Sequence, residues 1–586
     1  MQLHAETLNS APADRDQPRS AAASAWLRLA TRAMSERWLL RMAFAGMMIV
    51  YAQTILFDFV YDDVVLILLN PLMRGWGHVH TIFTSTFWGF VNSQAANGSN
   101  YYRPLTMMWL LLLNQVGHGA PGFFHLGVVL MHLVVMLEVY LLGRSLTGDA
   151  VTGALAALLF GVHPTHIESV AWISGISDVM CAAFFLASLL CYLRWSDGEG
   201  VRWLVWSLVG LELALLSKEA AALLVLLILL DRVRQFRQLD WFSRGVHAMY
   251  VSLPYIVLTA VHFTWRAYVI VLRGLRVEGA AVDPSAALSP YVLWWYLKKH
   301  VLPVPISAHY PMLPRGSLTT AQIVLSSAAC VITLAVSVWI VRRSRAGQLL
   351  VALFGFTLLP VVMGAQRFQL HDRYVYLPGI ALAIGAAVLL RRVPLLRCRV
   401  ERQFAVVLAI IAILVPLGYR ETSYWASDVS LFEHSLKVEP HTVLTMEALA
   451  NSYTMAGDNA RTEQMLRRAA AEFPEYSRQW TKLALWSLEH GNPDEAEFYA
   501  RKAISLRPVG KDIPRDFGIL SEVALKRGNL AEAELWAKRS VAADGSSPSS
   551  HRRLAEVYGA EGLATEARAE AHIASVIDVA SEPAVR

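Results

Sequence analysis

The chain has 586 residues, 55% of them hydrophobic and 17% charged, with a formal net charge of +6. A soluble domain carries about a quarter charged residues and roughly 45–50% apolar ones. The balance therefore excludes a purely globular protein and a disordered one, and places most of the chain in a lipid bilayer. Four cysteines with no CxxC pair and no metal-ligand spacing exclude a disulfide scaffold, and Cys181, Cys191, Cys330 and Cys398 read as small core residues. The positive charge sits in short arginine clusters between apolar runs, where topology explains it, so nucleic acid is not an expected partner.

Residues 1–36 form a polar N-terminal tail, and the first apolar run, 38–57, lacks a cleavage motif and reads as a retained span. Runs at 124–143, 179–195, 203–216, 248–272, 321–341, 348–363, 374–390 and 404–417 follow. Each suits about 30 Å of hydrocarbon. Two shorter runs, 150–162 and 220–230, must also cross if the loop charges are to alternate, which gives about eleven spans. Positive residues in short loops mark the cytoplasmic side. Arg144, then Arg194 with Arg202, then Arg232, Arg234, Arg237 and Arg244 mark it first; Arg342, Arg343 and Arg345, and finally Arg391 to Arg402, complete the pattern. The opposite loops are 58–123, 163–177, 217–219, 273–320 and 366–373, and these hold nearly every residue that looks chemical. The apolar segment 104–116 is expected as a helix at the outer surface, because a span there would invert all later loops.

From Glu421 the composition turns to Ala, Glu, Arg and Leu. Pro440, Pro474 and Pro508 are spaced by 34 residues, as are Gly457 and Gly491, and Gly528 and Gly562; Ala496, Ala533 and Ala567 occupy matching places. This period and punctuation are the tetratricopeptide pattern, in which small residues let paired helices approach and stacked units form a concave surface. A lengthened connection around 509–514 shifts the phase by three residues. The expected fold is therefore all-α: a tail (1–36), a polytopic membrane helical core (37–420) and a tetratricopeptide α-solenoid (421–586) on the extracytoplasmic side.

Ionisable groups at or returning to membrane depth are functional candidates by default. The first outer loop carries Tyr61-Asp62-Asp63, where two adjacent carboxylates repel and lose water, so at least one pKa moves toward the range of a general base. Arg103, in Tyr102-Arg103-Pro104-Leu105, offers a cation for a phosphate or carboxylate. The second loop holds His163, His166 and Glu168. Pro164 and the missing HExxH pattern argue against a metal there; the expected arrangement is a hydrogen-bonding network facing the first-loop carboxylates, with Asp178 capping the next span. Lys218 and Glu219, between two spans, read either as a structural ion pair or as part of a site. His371 and Arg373 at the mouth of a span suit an anionic phosphate group, and since this side lacks ATP the phosphate points to a lipid-linked donor.

These motifs in this order resemble the transmembrane and tetratricopeptide-repeat-containing O-mannosyltransferases, of the class C glycosyltransferase fold. The resemblance runs through Tyr61-Asp62-Asp63, Asn70-Pro71, Phe87-Trp88-Gly89, Arg103, His125, His132, His163 to Val170, Ser177-Asp178, Ser217-Lys218-Glu219 and Arg373 to Pro378, followed by the repeats. It implies a bacterial inner-membrane enzyme that moves a sugar, by analogy mannose, from a polyprenyl-phosphate donor to hydroxyl groups of extracytoplasmic proteins, with the repeats recruiting the acceptor. It implies Asp62 as general base, Asp63 as its assistant and Arg373 as the holder of the leaving phosphate. Arg103, His163, His166 and Glu168 would line the donor pocket, joined by Asp178, Lys218, Glu219 and His371. A divalent metal is not favoured. The chain departs from the common pattern at Ile176, where an arginine often precedes the acid. The alternatives are a non-catalytic scaffold that assembles envelope complexes through its repeats and a transporter of lipid-linked sugar; no inverted pair of broken spans supports the latter.

Overall fold

The computed structural model describes residues 27–32, 34–91, 101–272, 289–311, 318–364, 370–392, 400–506 and 513–581, and among them the regular elements are helical. Most of the N-terminal tail, Cys398, Pro508 and the connection 507–512 lie outside the described residues.

Among the described residues eight helices are long and apolar enough to cross a membrane, from Glu36–Leu56 to Val400–Ala426, and a ninth candidate is the pair Ala150–Gly161 and Pro164–Ala171, bent by 59°. The protein is thus an integral membrane protein. The expected count of eleven is not reached by length and composition: the run at 203–216 lies in a helix of 17 residues, Val201–Ser217, and that at 220–230 in one of 13, Leu223–Gln235. At 1.5 Å per residue the second spans only about 20 Å. The segment expected at the outer surface is the helix Pro104–Gly117, started by a proline in its first turn.

Close approach through small residues joins these helices, the usual solution where lipid competes with side chains for apolar contact. Pro121–Thr147 meets Ala150–Gly161 at Gly143 and Gly153, and a Cβ on Gly153 would stand 2.5 Å from the Tyr140 carbonyl oxygen. The turn between them closes on Gly148 at φ +71° and is capped by Asp149, whose carboxylate accepts the N–H groups of Val151 and Thr152. Ile176–Ser196 and Val201–Ser217 interlock through Ser188 and Ser207, each hydroxyl donating to the other's carbonyl at 2.5 and 2.8 Å.

The arginine loops gather at one end. Arg345 forks onto Asp231 at 2.7 and 2.8 Å and reaches Asp197, while Arg391 meets Asp149. At the other end the chemical loops meet one another and the first helices of the repeat domain. A single 3-10 turn, Tyr424–Ala426, joins Val400–Ser423 to the lead helix Asp428–Val438. Among the described residues four helix pairs follow, from Val443–Met455 with Asn459–Glu472 to Pro548–Ala560 with Ala564–Ser581. Gly457, Gly491, Gly528 and Gly562 sit at the bend of each pair at φ between +74° and +80°, which explains their spacing. Ala496 and Ala533 are fully buried where the helices of a pair cross, whereas Ala567 in the last pair is half-buried.

Candidate active site

The two adjacent carboxylates of the first outer loop face different ways. After the turn Ala52–Leu56 the chain reaches Tyr61, which is held at φ +57°, a left-handed conformation that costs an L-residue about 1–2 kcal/mol. Beyond this kink Asp63 is fully buried. One carboxylate oxygen accepts the Ser174 N–H at 2.8 Å and the Ser174 hydroxyl at 2.5 Å, and the other accepts the Val60 N–H at 3.2 Å. Burial pushes Asp63 up to about 7 against these hydrogen bonds. Asp62 faces a cavity of about 440 Å³. Burial raises it to about 6, with Arg373 opposing and Asp428 reinforcing the rise. The split supplies one carboxylate fixed as a strut and one presented to the cavity.

Three ion pairs build the cavity wall. Arg103 grips Glu219 with its Nη2 at 2.9 Å and its Nε at 3.3 Å, and its guanidinium lies 4.4 Å from the Tyr101 ring centroid. Burial raises Glu219, but Arg103 prevails and holds it at about 2. Lys218 meets Asp178 at 2.5 Å. Arg373 pairs with Glu168 through its guanidinium, and its backbone N–H donates to the second oxygen of the same carboxylate at 2.9 Å. Its guanidinium also stands 5.3 Å from the Trp172 ring. Apolar groups complete the lining: Leu66, Phe87, Trp88, Leu223, Pro360 and Leu377. A cavity with charged pairs on one wall and apolar side chains on another suits a ligand with a polar head and an apolar stem.

Of the residues expected to carry chemistry, Asp62, Arg103, Asp178, Lys218, Glu219 and Arg373 line this cavity together. Asp63, His163, His166, Glu168 and His371 stand behind its wall. His163 and His166 do not face the first-loop carboxylates, because Pro164 starts a 3-10 turn that directs both rings toward the bundle. His163 donates to or accepts from Thr165 and contacts the His300 carbonyl, and its ring stacks on His300 at 5.5 Å; His166 packs on Phe160 and Tyr376. The partner of the first-loop carboxylate is Ser174 instead. Asp178 makes no capping bond to its own helix and serves Lys218. Lys218 and Glu219 do not pair with each other: the chain changes direction at Lys218, whose extended backbone sends the two side chains to different partners. His371 contacts Glu168 at 3.2 Å from beneath Arg373. Cys181 lines the cavity, and the Cys181 reading as a plain core residue is incomplete. Among the described residues no group of three or more His, Cys, Asp or Glu side chains is arranged to hold a metal ion.

Residues that the motifs did not single out complete the site. Ser174 and Trp172, in the same loop as His163, anchor Asp63 and cover Arg373. Behind Arg373, Asp372 accepts the Tyr310 hydroxyl at 2.7 Å and lies 3.5 Å from Lys299, so this buried acid carries its own counter-ion. Asp372 and Arg373 are adjacent in the sequence, but Tyr310 and Lys299 lie 62 and 73 residues before Asp372 and reach it only through the fold.

Comparison with known proteins comes from sequence. A family model described as dolichyl-phosphate-mannose-protein mannosyltransferase matches residues 103–265, a segment that includes Arg103, Asp178, Lys218 and Glu219 and excludes Asp62 and Arg373. Protein O-mannosyl-transferase F38B6.6 of Caenorhabditis elegans is 24% identical over 429 residues, 69% of this chain and 58% of that protein. Protein O-mannosyl-transferase TMTC2 of Mus musculus is 35% identical over 159 residues, 27% of this chain and 18% of that protein. TMTC3 of Homo sapiens is 30% identical over 167 residues, 28% and 18% respectively. The matches thus span less than two thirds of these relatives' lengths. Together with the motif order and the membrane-plus-repeat architecture, these likenesses make the chain similar to the TMTC and dolichyl-phosphate-mannose-protein mannosyltransferases.

Proposed function

We propose that the protein transfers a sugar from a polyprenyl-phosphate donor to a hydroxyl group of an extracytoplasmic protein, with the cavity and the repeat domain on the extracytoplasmic side of a bacterial inner membrane. The observation that carries this reading is the presentation of Asp62. It is the cavity carboxylate to which no side-chain hydrogen bond or ion pair is found among the described residues, while Asp178 and Glu219 are paired. A carboxylate held near pH 6 accepts a proton from an attacking hydroxyl while staying largely ionised at neutral pH.

In the proposed step the acceptor oxygen forms a bond to the anomeric carbon as its proton passes to Asp62. The bond from that carbon to the phosphate oxygen breaks, and polyprenyl phosphate leaves with the electron pair. A single displacement inverts the anomeric configuration. Negative charge grows on the phosphate, and Arg373, with Lys218 and Arg103 on the same wall, supplies N–H donors toward it. The apolar wall of Leu66, Leu223 and Pro360 suits the first isoprene units. The concave face of the tetratricopeptide array suits an extended acceptor peptide.

The test is sugar transfer by the purified chain from polyprenyl-phosphate mannose and other polyprenyl-phosphate sugars to envelope proteins. Transfer by the wild type that disappears in Asp62→Asn is the expected result. A wild type that transfers from none of these donors overturns the proposal.

A further inference from the structure

The repeat domain touches the loop that carries Asp62 at several points. The Asp428 carboxylate, at the start of the lead helix, accepts the Tyr61 N–H at 2.7 Å. The Asp58 N–H donates to the Ala426 carbonyl at 3.2 Å. The Tyr61 ring packs against Trp172 from the membrane domain, His309 from the loop after Ser289–Val301, and Phe432 from the lead helix, with centroids 5.6, 5.3 and 5.8 Å away. His309 is itself held from the repeat side: it stacks on Phe432, and Thr445 of the first repeat pair contacts its Nδ1 at 3.4 Å. The Ala308 N–H donates to Ser435 at 3.0 Å. The residue held by these contacts is the one in the left-handed conformation, immediately before Asp62.

A non-glycine residue keeps a positive φ only where its surroundings impose it, and such positions gather at functional sites. On one side of the kink, Asp63 is locked to Ser174 of the membrane domain; on the other, Tyr61 is locked to Asp428 of the repeat domain. Asp62 lies between the two anchors, and among the described residues no side-chain hydrogen bond or ion pair directs its carboxylate.

We infer that Asp428 is a positioning residue for Asp62: by accepting the Tyr61 N–H it fixes the kink that presents the Asp62 carboxylate to the cavity, so that the seating of the repeat domain sets the geometry of the site. This inference rests on the reading of Asp62 as the base. It assigns the repeats a second task beyond holding an acceptor: a displacement of the lead helix is felt at Asp62 without any contact between acceptor and cavity.

The groups facing Asp62 are Arg373, from the turn Asp372–Val375, and Asp428, from the repeat domain; Asp63 and Tyr61 adjoin it in sequence, and Lys218, Arg103, Asp178 and Glu219 share its cavity. Two variants separate the hydrogen bond from the charge. Asp428→Asn keeps an oxygen for the Tyr61 N–H but removes a negative charge that raises Asp62. It is expected to retain transfer at pH 8 and to move the acid limb of the pH–rate profile down by roughly half a unit or more. Asp428→Ala loses the acceptor, and a misdirected base is expected to lower kcat roughly 100-fold while KM for the donor stays in place. A merely structural role would reduce the yield of folded protein and leave the acid limb unmoved. Wild-type kcat in Asp428→Ala, or a loss in Asp428→Asn at pH 8 as large as that in Asp428→Ala, overturns the inference.

A measurement without turnover keeps the two readings apart. In a chain whose four native cysteines are replaced by alanine, Asp62→Cys is alkylated with N-methylmaleimide across pH. The alkylation rate changes when Asp428→Ala is added and holds when Asp428→Asn is added if the hydrogen bond to Tyr61 fixes this position, and equal rates in all three chains overturn the inference. Should the wild type transfer no sugar, the proposed function fails, and this comparison still decides the role of Asp428.

Discussion

Asp62→Asn separates catalysis from stability. Burial pushes the native carboxylate up from the ordinary 3.8 to about 6. At about 1.4 kcal/mol per unit this corresponds to ~3 kcal/mol of penalty on the ionised form. Asp62 is half-buried rather than sealed, so solvent screening reduces the figure to about 1–2 kcal/mol. Because the folded-state pKa is raised, the favourable contribution is complete below pH 3.8 and is lost as pH climbs through about 6. An amide carries no such penalty, so Asp62→Asn is expected to melt higher than the wild type at pH 7.5 and to converge with it toward pH 4. Activity moves the other way. As the proposed base, Asp62 works deprotonated, so wild-type kcat/KM should fall through a midpoint near pH 6, with about a tenth of the plateau left at pH 5, and the amide should lower it by roughly 10²–10⁴-fold. The assay pairs detergent-solubilised thermal melting with sugar transfer from pH 4.5 to 8.5. A variant that keeps wild-type transfer, or a rate profile flat down to pH 4.5, refutes the role of Asp62; a variant less stable at pH 7.5 refutes the burial account.

Arg373→Ala strands the buried Glu168 carboxylate and should cost about 3–5 kcal/mol, seen as lost folded yield, whereas Arg373→Met with Glu168→Gln recovers yield but not transfer. Arg103→Lys keeps the charge but loses the fork onto Glu219, and transfer should fall with little change in expression. Gly491→Ala places a Cβ at φ +80° and should lower repeat-domain stability by about 1–2 kcal/mol, read by limited proteolysis of the array with the membrane domain intact. Gly153→Ala drives a methyl group to 2.5 Å from the Tyr140 carbonyl oxygen and should destabilise the bundle by about 1–3 kcal/mol, measured as a lower melting temperature in detergent.

What the sequence discloses depends on how far each feature reaches. Helix positions and the bends at Gly457 and Gly491 are local, and hydropathy and spacing reveal them. The gathering of Asp62, Arg103, Lys218, Glu219 and Arg373 was legible because apolar runs fix which loops share an end. The division of labour between Asp62 and Asp63 was not, since it hangs on one backbone angle at Tyr61 imposed by Asp428, 367 residues away. The exchange of partners that gives Lys218 to Asp178 and Glu219 to Arg103 was equally hidden, because adjacent side chains in an extended turn diverge and only the facing helices decide what each meets. The network expected between His163, His166 and the first-loop carboxylates does not form for the same reason: the proline-led 3-10 turn aims both rings at His300, Phe160 and Tyr376, which only the fold brings there.

The three ion pairs of the cavity wall have a consequence for traffic through it. Arg103, Lys218 and Arg373 each arrive with a built-in counter-ion in Glu219, Asp178 and Glu168. An incoming anion therefore competes for N–H donors with a tethered carboxylate that is present at a fixed, high local concentration. Entry becomes an exchange of partners rather than the filling of an empty positive hole, and departure is assisted by the returning carboxylate. Such a wall grips an anion only while it offers better geometry than the resident one, which favours turnover over retention.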